Sequence, residues 1–499
     1  MNFDSTKRFL LQVAMIEAKV ISALKFDYVI VGGGTCGLLV ANRLSEDPNT
    51  TVAVIEPGQD VGNNPDVTDP DNFTVPFDTP IDWAYPTVAQ SGAANRSLTL
   101  HSGKAIGGTS TINGMTYIRA DAAEIDAWEA LGNSGWNWDS LLPYYKKVER
   151  FTRPTTAQVA AGASYEPEYH GKHGDLHVGF RYALPNESAH EILRETWKNL
   201  GYTLNPDVNS GDVRGFDVWP QTVDRDLDVR WDAARAYYHP IEGRSNLRIL
   251  NGTAVRVLWD AETRRSGKKA RGVEYIDAKN QTTVVTVGQE VILSAGSLRT
   301  PLLLEMSGVG NHQILDSLGI DTVVDLPGVG ENLQEQPNSN IMFSGTLNVS
   351  GTGTTYSTFG TAEDIFGPNK SIIAASTNAS LARYAQLAAT ASHDRVNVSA
   401  LEQIFLLQHD LIFSKNVTIS ETLTDYTSGF FLSIGTASMM ARELGGVVDP
   451  VLKVYGTSNV RVVDASILPL QISGHLTATL YAVAERASEM IKSCSWANT

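Results

Sequence analysis

Cysteine is nearly absent from this 499-residue chain, with Cys36 and Cys494 the only two. No disulfide framework is therefore available to hold the fold. Long apolar runs are missing as well. No stretch reaches the 18 or more apolar residues of a membrane-spanning helix, so no membrane span is expected. Positive charge is in short supply, with 39 Lys and Arg against 55 Asp and Glu and a net charge of −16. Such a surface repels phosphate backbones, and nucleic acid is excluded as a partner. The acidic excess itself reads as solubility. What is present, 42% hydrophobic and 19% charged residues, is ordinary for a globular protein. The length allows two or three domains around a sizeable core.

The N-terminus carries two readings. Lys7-Arg8 precedes the apolar Phe9 to Ile16 stretch, as in a secretory signal, yet Glu17 and Lys19 follow at once. Residues 7–24 read equally as an amphipathic helix leading into a first strand. Eleven Asn-x-Ser/Thr sequons lie between Asn49 and Asn416, against roughly four or five from composition alone. Secretory and cytoplasmic locations both stay open. His170, His173 and His177 are closely spaced, but Gly171 and Gly174 break any helix that would align them, and no cysteine assists. No metal site is expected.

Tyr28-Val29-Ile30-Val31 reads as a buried strand, Leu38 to Leu44 as a helix and Val52 to Glu56 as a second strand. Between the first strand and the helix runs Gly32-Gly33-Gly34-Thr35-Cys36-Gly37, which fills the G-x-G-x-x-G pattern. Gly32 permits the tight turn, Gly34 the approach of a pyrophosphate, and Gly37 close packing of helix on strand. Cys36 is small enough to pack beneath that helix. Glu56, 19 residues past Gly37, stands where a carboxylate accepts hydrogen bonds from an adenosine ribose. This unit alone does not separate FAD from NAD.

Two longer strings do. Lys104 to Arg119 reads KAIGGTSTINGMTYIR, and Gly296 to Gly310 reads GSLRTPLLLEMSGVG behind the apolar strand Glu290 to Ala295. With Arg235-Ala-Tyr-Tyr-His-Pro240, Gly328 to Gln334, Asn459 to Ser466 and Gln471 to Leu480, the chain resembles the glucose–methanol–choline (GMC) oxidoreductases. The likeness covers residues 26–340 and 434–492. It implies FAD, with Gly107, Gly108, Thr109, Asn113 and Gly114 against the pyrophosphate and isoalloxazine. It further implies Val255 at the cofactor, and Asp464 and Ala465 near the ribityl–pyrophosphate region. Small residues permit close approach there, and amides near a flavin stabilise its reduced, anionic form.

The fold so implied is α/β. It has a Rossmann-like FAD-binding domain, discontinuous in sequence (26–150, 218–335 and 434–499), and a smaller antiparallel-sheet cap for substrate (151–217 and 336–433). Residues 1–25 form the helix or signal-like segment. The activity implied is oxidation of a small-molecule alcohol at CH–OH, as in fungal-type secondary metabolism, with oxygen or another electron acceptor. His475 is then the candidate base.

The chain departs from the family in two places. A His expected three residues before Gly435-Thr436 is Leu432, which cannot accept or donate a proton. Only about 100 residues separate Gln334 from Gly435, fewer than the resemblance implies. Residues 341–400 are rich in Ser, Thr, Gly and Asn and read as loop; residues 401–413 read as a helix. A lost internal segment and a remodelled cap both account for this. The alternative function is an FAD-containing non-redox lyase or a catalytically impaired paralogue.

Overall fold

A computed structural model of the chain describes residues 24–181, 187–264, 267–339, 356–393, 395–423 and 432–496. The expected N-terminal helix at 7–24 lies almost wholly outside these residues. The first strand begins at Leu24 and runs to Val31, four residues earlier than the apolar core of the strand suggests.

A parallel core holds five strand segments. Val52–Glu56 pairs with Leu24–Val31 on one side and with residues 247–251 on the other. Leu24–Val31 pairs next with Thr282–Leu293, and that strand with Val460–Val462. Every residue of Val52–Glu56 is buried, as it must be in a parallel sheet covered on both faces. The strands Leu247–Arg264 and Thr282–Leu293 outrun the parallel core. Their far ends pair antiparallel with Gly267–Asp277. The expected strand at Glu290 to Ala295 is the buried end of one of these longer strands.

The helix Thr35–Leu44 packs against the terminal helix Leu476–Trp496, which in turn packs on Trp138–Val148. Tyr145 Oη and Thr479 Oγ1 share a hydrogen bond of 2.8 Å across the second contact. The terminal helix continues past Ile491 to Trp496. Among the described residues no helix is long and apolar enough to cross a membrane.

A second, antiparallel sheet carries Gly215–Val218, Tyr356–Thr361 and Thr418–Leu423, with Tyr356–Thr361 in the middle and wholly buried. Its register sets Phe359 opposite Glu421 and Ser357 opposite Asp217. Assigning this layer to substrate and the parallel layer to cofactor is our proposal, with boundaries as drawn from the sequence.

The loop reading of 341–400 is corrected. Residues 340–355 lie outside the described set, but helices Ala362–Phe366, Lys370–Asn378 and Leu381–Ala391 follow. Alanine, the strongest helix former, supplies much of their length, while scattered Ser and Thr blur the apolar period. Thr361 opens the first of them by a capping box with Asp364. Val398–Phe413, capped by Asn397, matches the expected helix.

Candidate active site

The parallel strands end at a cavity of about 910 Å³ that gathers residues from both ends of the chain. Gly32, Gly34, Thr35, Cys36, Glu56, Gly108, Thr109, Asn113, Gly114, Val255, Asp464, Ala465 and His475 all line it. Gly37 and Gly107 do not. A Cβ on Gly37 would stand 2.0 Å from Gly32 O, so its bareness serves helix–strand packing. Gly107 has φ +108 and opens the short helix Gly108–Thr111 whose first residue lines the cavity.

The walls suit a dinucleotide. Gly34 and Gly108 face one another so closely that a Cβ on Gly108 would fall 2.6 Å from Gly34 Cα. The helix Thr35–Leu44 starts at Gly34 with no side-chain cap. Its first-turn amides, which have no partner inside the helix, stand at the cavity as donors for a phosphate. Glu56 is buried and accepts from Gly33 N at 2.9 Å and Gly58 N at 2.7 Å. Burial raises its carboxyl above the usual range, opposed by those two bonds and by Arg299 and Lys104. FAD fits this cradle: Gly32 to Cys36 and Gly108 with Thr109 would hold its pyrophosphate, and Glu56 its adenosine ribose.

Asp464 lines the cavity and also ties its walls together. Its oxygens take Gly296 N (2.9 Å), Thr300 Oγ1 (2.5 Å) and Ser466 N (2.9 Å). They tie the second glycine string to the last strand. Cys36 is buried, and desolvation pushes its thiol well up, which makes it a packing residue with little thiolate character.

His475 lines the cavity on a segment fastened at each residue. Gln471 N donates to Gln334 Oε1 at 2.9 Å, and Gln336 Nε2 donates to Ile472 O at 2.7 Å. Ser473 N meets both oxygens of Glu124, at 3.0 and 2.9 Å. Gly474 passes so near Arg119 that a Cβ would lie 2.1 Å from its carbonyl oxygen, and His475 N donates to Ile118 O at 3.1 Å. The imidazole Nε2 is 3.1 Å from Glu421 Oε2. In the neutral ring that bond puts the proton on Nε2 and the lone pair on Nδ1.

Sequence reasoning missed Glu421, Glu124 and Arg230. Arg230 is buried and donates from Nη1 to Asn113 O (2.7 Å) and Asn113 Oδ1 (2.8 Å), pinning the flavin-type loop. No motif marks these residues; only tertiary packing brings them here. Leu432 is half-buried and lines the cavity, and its N–H donates to Glu335 Oε1 at 2.5 Å.

The three spaced histidines go separate ways. His170 bonds Glu149 and Asp207 at 2.9 and 3.0 Å, His177 bonds Asp224 at 3.0 Å, and His173 is exposed. Among the described residues the cluster with metal-ligand spacing is Asp78, Asp82 and His101. The Asp82 carboxylate is already taken there by Asp78 N, Ala84 N and Ser102 N, each at 3.0 Å.

Comparison with known proteins agrees with this geometry. Family models of the GMC oxidoreductases match residues 26–338 and 375–484, the second beginning well before the signature-level likeness at 434. The glucose oxidase-like protein fsoC of Humicola fuscoatra is 48% identical, over 94% of this chain and 95% of that protein. Its alignment spans 562 positions, more than the 499 residues here, so the relative has residues without counterpart in this chain. Glucose oxidase of Aspergillus carbonarius is 32% identical over 96% of this chain and 94% of its own. Among solved structures, an FAD-dependent oxidoreductase from Chaetomium thermophilum superposes with TM-score 0.77 at 26% identity, covering 94% of this chain and 99% of that one. A fungal aryl-alcohol oxidase does so with TM-score 0.74 at 25% identity, covering 94% and 99%. The cofactor is FAD, and the chain belongs to the GMC oxidoreductase family.

Proposed function

We propose that this FAD-dependent oxidoreductase oxidises the CH–OH group of a small-molecule alcohol, with oxygen or another acceptor closing the cycle. FAD, when bound, would supply the two-electron acceptor for the hydride. The chain supplies the rest. His475 takes the hydroxyl proton, and Glu421 holds the imidazole in one tautomer and steadies the positive charge it acquires. The Gly108 to Gly114 loop and the first-turn amides of Thr35–Leu44 hold the cofactor; the cavity walls keep bulk water from the reacting carbon. The observation that carries this reading is His475 in the same cavity as both glycine loops, 3.1 Å from a carboxylate. Relatives named glucose oxidase and aryl-alcohol oxidase act, by those names, on hydroxyl-bearing molecules.

Leu432 favours a second reading, a flavoprotein that performs non-redox lyase chemistry or has lost turnover, because an apolar side chain lines the cavity where the family resemblance implies a second histidine. The two separate in one experiment. The holoprotein is mixed anaerobically with primary alcohols, benzylic alcohols and sugars while its oxidised flavin band is followed. Bleaching by any of them supports oxidation. A yellow protein that none reduces overturns it in favour of the second reading.

A further inference from the structure

One cluster at the Glu56 end of the cavity has no part in the chemistry above. Trp83 and Tyr85 precede the first glycine loop, while Arg299 sits at the N-cap of helix Thr300–Met306 in the second. All three line the cavity beside Glu56 and Lys104. The Arg299 guanidinium carbon lies 3.7 Å from the centroid of the Trp83 ring and 5.7 Å from that of Tyr85. Its Nε donates to Tyr85 Oη at 2.6 Å. Lys104 Nζ stands over the same Trp83 ring, 4.7 Å from its centroid. Two chain segments more than 200 residues apart are thus joined across the wall of one cavity.

The joint leaves donors unused. A guanidinium carries five N–H groups in a rigid fork. Only the one on Nε is spoken for: among the described residues neither Nη atom of Arg299 forms a hydrogen bond or ion pair. An arginine held over an indole, with its terminal donors bonded to no protein acceptor, is arranged for an oxygen-bearing ligand. At this end of the cavity Glu56 already marks the ribose.

We propose that Arg299 is a cofactor-binding residue. Its Nη donors take ribose or phosphate oxygens in the adenosine half of FAD, and its link to Trp83 and Tyr85 closes both segments over that half and slows cofactor release. The inference needs FAD and the placement of Glu56 at the ribose; it is independent of the alcohol-oxidation reading. The indole contact and the bond from Nε to Tyr85 hold the guanidinium in place before FAD binds, so little side-chain freedom is lost on binding. Lysine at this position keeps the charge and loses both the plane and the fork.

The test uses the holoprotein. FAD release is followed as the rise of flavin fluorescence after dilution. In Arg299→Ala it is expected to run about tenfold faster than in the unaltered chain, in line with a stacked, desolvated cation. Arg299→Lys should fall between the two. Tyr85→Phe, which keeps the ring and removes the oxygen that accepts from Nε, should release about two to three times faster. Melting is followed in parallel by flavin fluorescence and by far-ultraviolet circular dichroism. Loss of flavin at a lower temperature than loss of secondary structure supports a binding role. Unchanged release in Arg299→Lys and Tyr85→Phe overturns the proposal, as does an Arg299→Ala protein whose two melting curves move down together.

Discussion

His475 Nε2 and Glu421 Oε2 lie 3.1 Å apart although 54 residues separate them in the chain. The imidazole lines the cavity from the segment before the terminal helix, and the carboxylate that meets it sits on an edge strand of the small antiparallel sheet. This bond is one of several that join the antiparallel layer to the parallel one, as Arg395 Nε to Glu331 Oε1 also does. Positioned base catalysis contributes about 10²–10⁴-fold. His475→Ala is expected to slow anaerobic flavin reduction by at least tenfold with the flavin spectrum intact, and Glu421→Gln by a smaller factor. Because Glu421 works through His475, the double variant should be no slower than His475→Ala alone. Stopped-flow rates on the four proteins decide; additive losses would mean that Glu421 acts on its own account.

Leu432 offers the opposite experiment. Its side chain already lines the cavity and is half-buried, so a histidine of similar bulk enters without opening a void. Leu432→His is expected to raise the rate of flavin reduction by about tenfold, short of the roughly 10²–10⁴-fold of a fully positioned proton acceptor because the surroundings were not built for it. An unchanged rate would show that the cavity, as this chain builds it, does not place position 432 beside the reacting carbon.

The cofactor half of the molecule was legible because its constraints are local. Gly32, Gly34 and Glu56 follow from a turn, a close approach and a spacing, all written within one strand–helix–strand unit. His475 followed from a string around it. Glu421 did not, since an acidic residue on a short polar strand has no sequence pattern until the strand Tyr356–Thr361 sets its register. The helices at 362–391 were hidden for a different reason. Leu381, Ala385 and Ala389 do form a buried stripe at helical spacing, but two of the three are alanines among exposed Thr and Ala, so the stripe barely stands out from its surroundings.

Glu124 makes the fold sensitive to pH. Burial drives its carboxyl from 4.5 up to about 8, with the hydrogen bonds from Ser473 only partly opposing the shift. The native state thus holds this proton more tightly than the unfolded chain. The stabilisation is complete below the ordinary carboxylate range and is lost as pH rises through about 8. Glu124→Gln, which remains neutral, is expected to flatten the decline in melting temperature between pH 6 and pH 9. Parallel melting profiles for the two proteins across that range would remove Glu124 as the titrating group.

Gly108 and Gly296 share a left-handed backbone, φ +54 and φ +83, yet their surroundings predict opposite outcomes. Around Gly296 a Cβ would meet nothing within 4 Å. Gly296→Ala bears only the conformational cost of a left-handed alanine, about 1 kcal/mol. Its melting temperature should fall by a few degrees and the protein should stay yellow. At Gly108 the same Cβ would stand 2.6 Å from Gly34 Cα, and backbone on both sides leaves no flexible side chain to yield. Gly108→Ala must part the two glycine loops between which the pyrophosphate would be held. The expected product is a folded protein purified without flavin, read from the ratio of visible to ultraviolet absorbance. Full flavin content in Gly108→Ala would show that the two loops separate freely and that their contact does not shape the cofactor site.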